Sequence, residues 1–361
     1  MSAGYRCGVA AQTHDRPQLS ELTTLRVGGP ALDIVNCDDA ESLIETIGRL
    51  DAAGTAVLLV GGGSNLVIGD DGFDGTVVRI NNTGLDWRSD HVVADAGVNW
   101  DALVAESVAR GFGGLECLSG IPGAAGATPV QNVGAYGVEV GSLLRSVQVL
   151  DRRNGALNWI DPGDLDLGYR TSRLKHRSDE LVVRLSLRLR DDGLSEPIRY
   201  GELARALGIE DGERAPVAQV RETVLALRAS KGMVLDPDDH DTWSVGSFFT
   251  NPIVPHEYLP KVLTQIVQEL GDEATTVPQF PAESGVKLSA GWLIERAGFA
   301  RGYPDADARA RLSTKHTLAL TNRGQATCAD VIDLARAVRE GVHRKFGLWL
   351  EPEPILVGCS L

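Results

Sequence analysis

The chain has 361 residues, 43% of them hydrophobic, and carries a formal charge of −14 from 49 acidic against 35 basic side chains. That length supports two or three domains with their own cores, and the acidity argues against a nucleic-acid binder or a protein held on anionic lipid, both of which need a net basic face. A phosphorylated ligand would therefore have to be met by local arginines and lysines, or by bare backbone N–H groups.

The first helical pattern is "DDAESLIETIGRLDAAG", with Leu43, Ile44, Ile47 and Leu50 on one face, an acid before it and Gly54 behind it. "TAVLLV" is an apolar run of strand length that enters "GGGSNLVIGDDGFDGTVVRI", and "TVVRI" and "HVVADAG" read as a second strand-like pair. "NWDALVAESVARGFGG" is a second amphipathic helix, capped by Asn99 and stopped at Gly111. From Leu118 to Gly141 six glycines and the absence of either period predict a long functional loop. "ELVVRLSLRLR" alternates Leu181, Val183, Leu185, Leu187 and Leu189 with mostly polar partners, the pattern of a half-buried strand. A helix over "PVAQVRETVLALRASKG" has Pro216 in its first turn, and the polar, turn-rich "GMVLDPDDHDTW" after it reads as a linker near a domain boundary. Helices are expected around "EYLPKVLTQIVQELG", "SAGWLIERAGF" and "ADVIDLARAVREGVHRKFG", the last with Val331, Ala335, Val338, Val342 and Phe346 on one stripe. The architecture is mixed α and β.

Five cysteines are scattered, with no Cys-x-x-Cys or His/Cys spacing of a metal site, so they read as reduced thiols of a cytosolic protein. The first 20 residues lack the apolar core of a signal peptide and read as a loose extension, and no later run approaches the length of a membrane span.

"VGGGSN" invites a dinucleotide reading, but Leu66 stands where the third glycine belongs and no helix pattern opens there, so a doubly wound fold is not expected. Taken alone, the triple glycine is as well explained by a tight hairpin. Paired with "SGIPGAAGATPVQNVGAYG" it suggests two loops of bare backbone N–H groups that approach a pyrophosphate closely, an anion nest needing no basic residue.

These stretches, with "TTLRVGGPA", "GYRTSR", "GSFFTNP", "SAGWLIERAGF" and "LEPEP", stand in the order and approximate spacing of the UDP-N-acetylenolpyruvoylglucosamine reductase family, and the chain resembles that family from about Leu22 to Val357. The resemblance implies an α+β protein. It would have the FAD-binding fold of the vanillyl-alcohol-oxidase-like (PCMH-type) class in two lobes, residues 15–80 (with 351–361 packing back on them) and 81–232, and a C-terminal α+β substrate-binding domain over 233–350. It also implies an NADPH-dependent flavoprotein, with non-covalent FAD, that converts UDP-N-acetylglucosamine enolpyruvate to UDP-N-acetylmuramic acid in the cytoplasm, as a monomer without nucleic-acid or membrane partners.

By the same resemblance, Gly61, Gly62, Gly63, Ser64 and Asn65, and Ser119, Gly120, Ile121, Pro122 and Gly123, hold the FAD diphosphate. Gln131, Asn132, Gly134, Ala135 and Tyr136 lie near flavin and substrate. Ser247 inherits the proton-donor role, Arg170 the countercharge to the substrate carboxylate and its enolate, and Glu353 the second catalytic carboxyl. Beside an anion that carboxyl needs a raised pKa or a bridging cation. Tyr169, Tyr200, Lys231, Asn251 and Lys287 match substrate-contacting positions, Tyr200 in the family type with the longer tyrosine-loop insertion. His316 departs from the family pattern, standing where some relatives carry a glutamine that contacts substrate. Two other readings stay open on the residues: a flavin oxidase of the same fold, although neither loop offers the histidine or cysteine that often tethers FAD in that class, and a non-redox sugar-nucleotide binder.

Overall fold

The structure, a computed structural model, describes residues 16–271 and 277–361. The N-terminal extension over 1–15, with Cys7, lies outside the described residues.

The first unit contains β1 (Ala31–Cys37), α1 (Ala40–Ala52), β2 (Val57–Val60), β3 (Leu66–Ile68) and β4 (Phe73–Ile80). Its sheet runs β1-β4-β2 with both pairings parallel. Helix α1 starts at a reciprocal cap in which Asp39 Oδ1 accepts the Ser42 amide at 2.7 Å, and Leu43, Ile47 and Leu50 bury its inner face against Val78 of β4.

The second unit contains β5 (Leu85–Trp87), β6 (His91–Asp95), α2 (Trp100–Ala109), the short ladder of β7 (Gly134–Ala135) and β8 (Val138–Glu139), and α3 (Val140–Leu143). It continues through β9 (Leu144–Asp151), β10 (Ala156–Ile160), β11 (Glu180–Arg188), α4 (Gly201–Leu207) and α5 (Val217–Ser230). Its antiparallel sheet has the order β10-β9-β11-β6-β5, so "TVVRI" and "HVVADAG" fall in different sheets. Strand β11 departs from the half-buried expectation. It lies between β9 and β6, and a register shift at Val182/Arg184 reverses the phase of its side chains. Leu181 and Val183 pack on the core of the first unit, whereas Val182, Leu185, Leu187 and Leu189 pack on that of the second. The strand therefore joins two cores instead of facing solvent on one side.

The third unit contains β12 (Ile253–Val254), α6 (Leu259–Leu270), β13 (Gln279–Ala282), β14 (Gly285–Leu288), α7 (Ala290–Arg296), β15 (Ala310–Leu312), β16 (Leu320–Asn322) and α8 (Cys328–Phe346). The expected stripe of α8, from Val331 to Phe346, is buried throughout. Its N-terminus is capped by Thr327, and the Asp70 carboxylate accepts the amides of Cys328 and Ala329 at 2.7 and 2.9 Å. Gly347 ends it with φ +71°. The segment expected as a linker is packed in place. Asp241 within it is buried, pairs with Arg323 at 2.9 Å and accepts a bond from the Thr314 hydroxyl. The chain then returns, and β17 (Ile355–Val357) pairs parallel with β3.

Among the described residues, no helix is long and apolar enough to cross a membrane, no group of His, Cys, Asp and Glu side chains is arranged to hold a metal ion, and Cys37, Cys117, Cys328 and Cys359 are free thiols.

Candidate active site

Two glycine-rich loops lie against each other along the wall of a cleft of about 530 Å³. The first, Gly61 to Asn65, leaves the end of β2, and the second, Ser119 to Gly123, leaves a 3-10 turn after α2. Their closeness explains the glycines. A Cβ on Gly62 would stand 2.6 Å from the Gly123 Cα, and one on Gly63, whose φ is +61°, would stand 1.8 Å from the Leu22 carbonyl oxygen. Ser64 Oγ donates to the Pro122 carbonyl at 2.9 Å and ties the loops together. The Gly120 amide donates to Asp101 Oδ1 at 2.6 Å, and Arg221 holds that carboxylate through two bonds of 2.7 and 2.9 Å. Ser119 is buried with its hydroxyl on the Glu116 carbonyl, so its side chain shapes the loop and does not line the cleft.

Arg228 also reaches the cleft wall. Its Nη2 donates to the Met233 carbonyl at 2.8 Å while its Nε, buried, has no hydrogen-bond partner in the protein. Two loops whose bare backbones can pack this closely only without side chains, together with an unpaired buried guanidinium N–H on the cleft wall, fit a diphosphate-bearing cofactor such as FAD.

Asn65 and Gln131 carry the first loop toward the rest of the site. Asn65 Nδ2 donates to Gln131 Oε1 at 2.8 Å and approaches the Glu353 carbonyl at 3.4 Å, while its own carbonyl accepts the Ile355 amide at 2.9 Å. Gln131 and Gly134 line the cleft. Asn132 turns inward in a left-handed conformation, φ +45°, and spends its amide on Glu139 Oε2, the Gly168 carbonyl and the Gly141 N–H. It thereby fixes the turn that carries Tyr169 and Arg170. Ala135 belongs to the β7–β8 ladder, and Tyr136 meets Tyr200 edge to face with ring centroids 5.4 Å apart. Burial pushes the Tyr136 phenol up to about 12. Tyr200 is 42% exposed, so this pair stands at the surface, beside the cleft wall and not on it.

Arg170 sits in left-handed backbone, φ +56°, donates from Nη2 to the Gly134 carbonyl at 2.7 Å, and places Nε 3.1 Å from Glu353 Oε1. Burial raises the Glu353 pKa, against the lowering pull of Arg170 and Lys175. Ser247 lines the same cleft, anchored by Phe248 and Phe249, which are both fully buried and packed edge to face. The Glu353 amide donates to the Phe248 carbonyl at 2.9 Å and the Thr250 amide to the Glu351 carbonyl at 3.0 Å, so the segments bearing Ser247 and Glu353 run side by side.

Lys287 lies 4.1 Å from the centre of the Tyr169 ring, and Asn251 Oδ1 accepts the Ala290 amide at 2.8 Å. Burial, then the Arg170 charge, lowers the Lys287 pKa, and burial raises that of Tyr169. Lys231 pairs with Glu202 at 2.6 Å. Arg170, Ser247 and Glu353 thus share one cleft with both glycine loops, while Lys231, Lys287 and Tyr200 lie outside its wall. Sequence reasoning missed Lys175, Arg228 and Asp101. The first two line the cleft and the third holds its loop, but each reads in sequence as one more surface charge.

The family description "FAD binding domain" matches residues 31–161, and "UDP-N-acetylenolpyruvoylglucosamine reductase, C-terminal domain" matches residues 236–357. The chain is 60% identical over 354 residues to the UDP-N-acetylenolpyruvoylglucosamine reductase of Nocardia farcinica, covering 98% of this chain and 92% of that one. The chain belongs to the UDP-N-acetylenolpyruvoylglucosamine reductase family. A second family member, from Mycolicibacterium smegmatis, is 55% identical over all of this chain and 99% of its own. The crystal structure of the family's Thermus caldophilus enzyme superposes with a TM-score of 0.65 at 26% identity, covering 95% of this chain and 98% of that one.

Proposed function

We propose that this member of the family takes its electrons from NADPH, and that Arg170, Ser247 and Glu353 carry the chemistry on its substrate. It is an FAD-dependent oxidoreductase that reduces UDP-N-acetylglucosamine enolpyruvate in peptidoglycan synthesis. In this reading residues 15–80, with 351–361, and 81–232 are the cofactor lobes, and 233–350 bind the sugar nucleotide. The enzyme is taken in this reading to act as a cytoplasmic monomer.

The chemistry supplied by bound FAD is hydride transfer, from NADPH to the methylene carbon of the enolpyruvyl group. The glycine loops and Arg228 would hold its diphosphate. The planar fork of Arg170 meets the substrate carboxylate and the negative charge that develops beside it as the double bond is reduced. Ser247 gives its hydroxyl proton to the carbon next to that carboxylate, completing the CH–CH3 unit, and is reprotonated from solvent. Glu353, its pKa raised by burial, receives the Arg170 Nε while adding less negative charge than an ordinary carboxylate beside an anionic substrate. Tyr169, Asn251 and Lys287, and more distantly Lys231 and Tyr200, serve the nucleotide part.

The observation that supports this reading most is the convergence of Arg170, Ser247 and Glu353 on one cleft with both glycine loops. Two stopped-flow mixes test it. NADPH should bleach the flavin absorbance, and anaerobic addition of the enolpyruvyl sugar nucleotide should restore it. Recovery only on admitting oxygen would replace the reductase reading with an oxidase.

A further inference from the structure

We propose that Lys175 is a positioning residue for this reaction: it holds the backbone of Arg170 and, as the second cation beside Glu353, sets how strongly Arg170 and Glu353 together accept the substrate carboxylate. The inference rests on the reaction proposed above.

Lys175 lines the cleft with Arg170 and Glu353, and its Nζ donates to the Arg170 carbonyl at 3.0 Å. Arg170 occupies left-handed backbone, which a side chain with a Cβ adopts only when its surroundings hold it there. The two ends of Arg170 are fixed separately. The Gly134 carbonyl takes the guanidinium, and Lys175 takes the carbonyl oxygen within a turn closed by Gly168 and Thr171, so losing Lys175 removes the side-chain bond on the Arg170 carbonyl and loosens that end.

The charged groups that face Lys175 are Arg170 from the same turn and Glu353 from the returning C-terminal segment. On its own segment His176 is exposed, and Arg177 is committed to Asp179 at 2.7 Å. Burial lowers the Lys175 pKa while Glu353 raises it, and Lys175 in turn lowers the proton affinity of Glu353. Two cations thus stand against one buried carboxyl before a ligand arrives, an imbalance that suits an incoming carboxylate.

Lys175→Gln keeps an N–H donor and removes the charge, and Lys175→Arg keeps the charge. Both are compared with wild-type holoenzyme for bound FAD, for equilibrium binding of two ligands to the oxidised flavoprotein, and for the pH profile of flavin reoxidation. One ligand is the enolpyruvyl sugar nucleotide, and the other is UDP-N-acetylglucosamine, which lacks the carboxylate. Lys175→Gln should bind the first about tenfold more weakly and the second as wild type does. With the cation gone the Glu353 carboxyl keeps its proton to higher pH, so the alkaline limb of the reoxidation profile should move to higher pH. Lys175→Arg should restore both. Equal weakening for the two ligands, an unmoved pH profile, loss of FAD from Lys175→Gln, or no rescue by arginine would each overturn the role. Failure of wild-type reduced flavin to reoxidise with the enolpyruvyl sugar nucleotide would instead overturn the reaction itself.

Discussion

Arg170 and Glu353, far apart in the chain, meet with Nε 3.1 Å from Oε1, in a pair whose side chains are only 22% and 15% exposed. The guanidinium is held a second time by the Gly134 carbonyl, so its orientation is set before any ligand arrives. Arg170→Lys keeps the charge but cannot reproduce both bonds at once. It should lower kcat/KM for flavin reoxidation by about 100-fold to 1000-fold, with rate and affinity both damaged. Steady-state and single-turnover kinetics with the enolpyruvyl sugar nucleotide check this, and an unchanged rate would remove Arg170 from charge stabilisation.

Ser247→Ala removes the proposed proton donor and leaves the Phe248–Phe249 anchor in place. Reoxidation by substrate should slow by about 100-fold to 10,000-fold, the usual worth of positioned proton transfer, while reduction by NADPH proceeds near its normal rate. Equal slowing of both half-reactions would show that Ser247 supports the cleft and does not donate the proton.

Asp101 is not among the residues that line the cleft, yet its carboxylate fixes the Gly120 amide and is itself fixed by Arg221. Asp101→Ala should weaken FAD binding by about 10-fold to 100-fold, since hydrogen bonds to a charged group are involved. Flavin content after dilution measures it. Far-UV circular dichroism should stay as in wild type, because helix α2 keeps its Asn99 cap, with Oδ1 2.9 Å from the Ala102 amide.

His316 is held neutral down to about 4, chiefly by burial and next by the Lys231 and Arg301 charges. Between that value and the ordinary 6.5 the unfolded chain binds a proton that the folded one refuses. Stability contributed through this residue is therefore intact above that window and lost as pH falls through it, by up to about 3 kcal/mol. Denaturant unfolding of wild type and His316→Gln at pH 5 and 7.5 should show the wild type losing more stability toward pH 5. Parallel losses would mean that His316 titrates normally.

Helices were legible where local signals suffice. The Asp39 and Asn99 caps, the Gly347 stop and the α8 stripe need only neighbours within a few turns. The glycine loops were legible too, because a bare backbone in two places is itself a statement about close approach. Strand β11 was legible as a strand, but its burial on two cores was not, since that depends on a register shift in its pairing with β9. Asn132 and Ser119 read like loop ligands, but their side chains are consumed by bonds inside the fold.

By itself the sequence determined the elements, the loops of bare backbone, and through its motifs the family and the residues worth suspecting. Tertiary structure alone decided which of those residues meet. Asn65 reaches the Glu353 carbonyl across 288 residues of chain, and β17 returns to pair with β3, which brings Glu353 beside the Ser247 segment and onto Arg170. Local signals are written in short-range sterics and hydrogen bonds. The balance of charge at the cleft, with Arg170 and Lys175 facing one desolvated carboxyl, exists only once distant segments share a low-dielectric space.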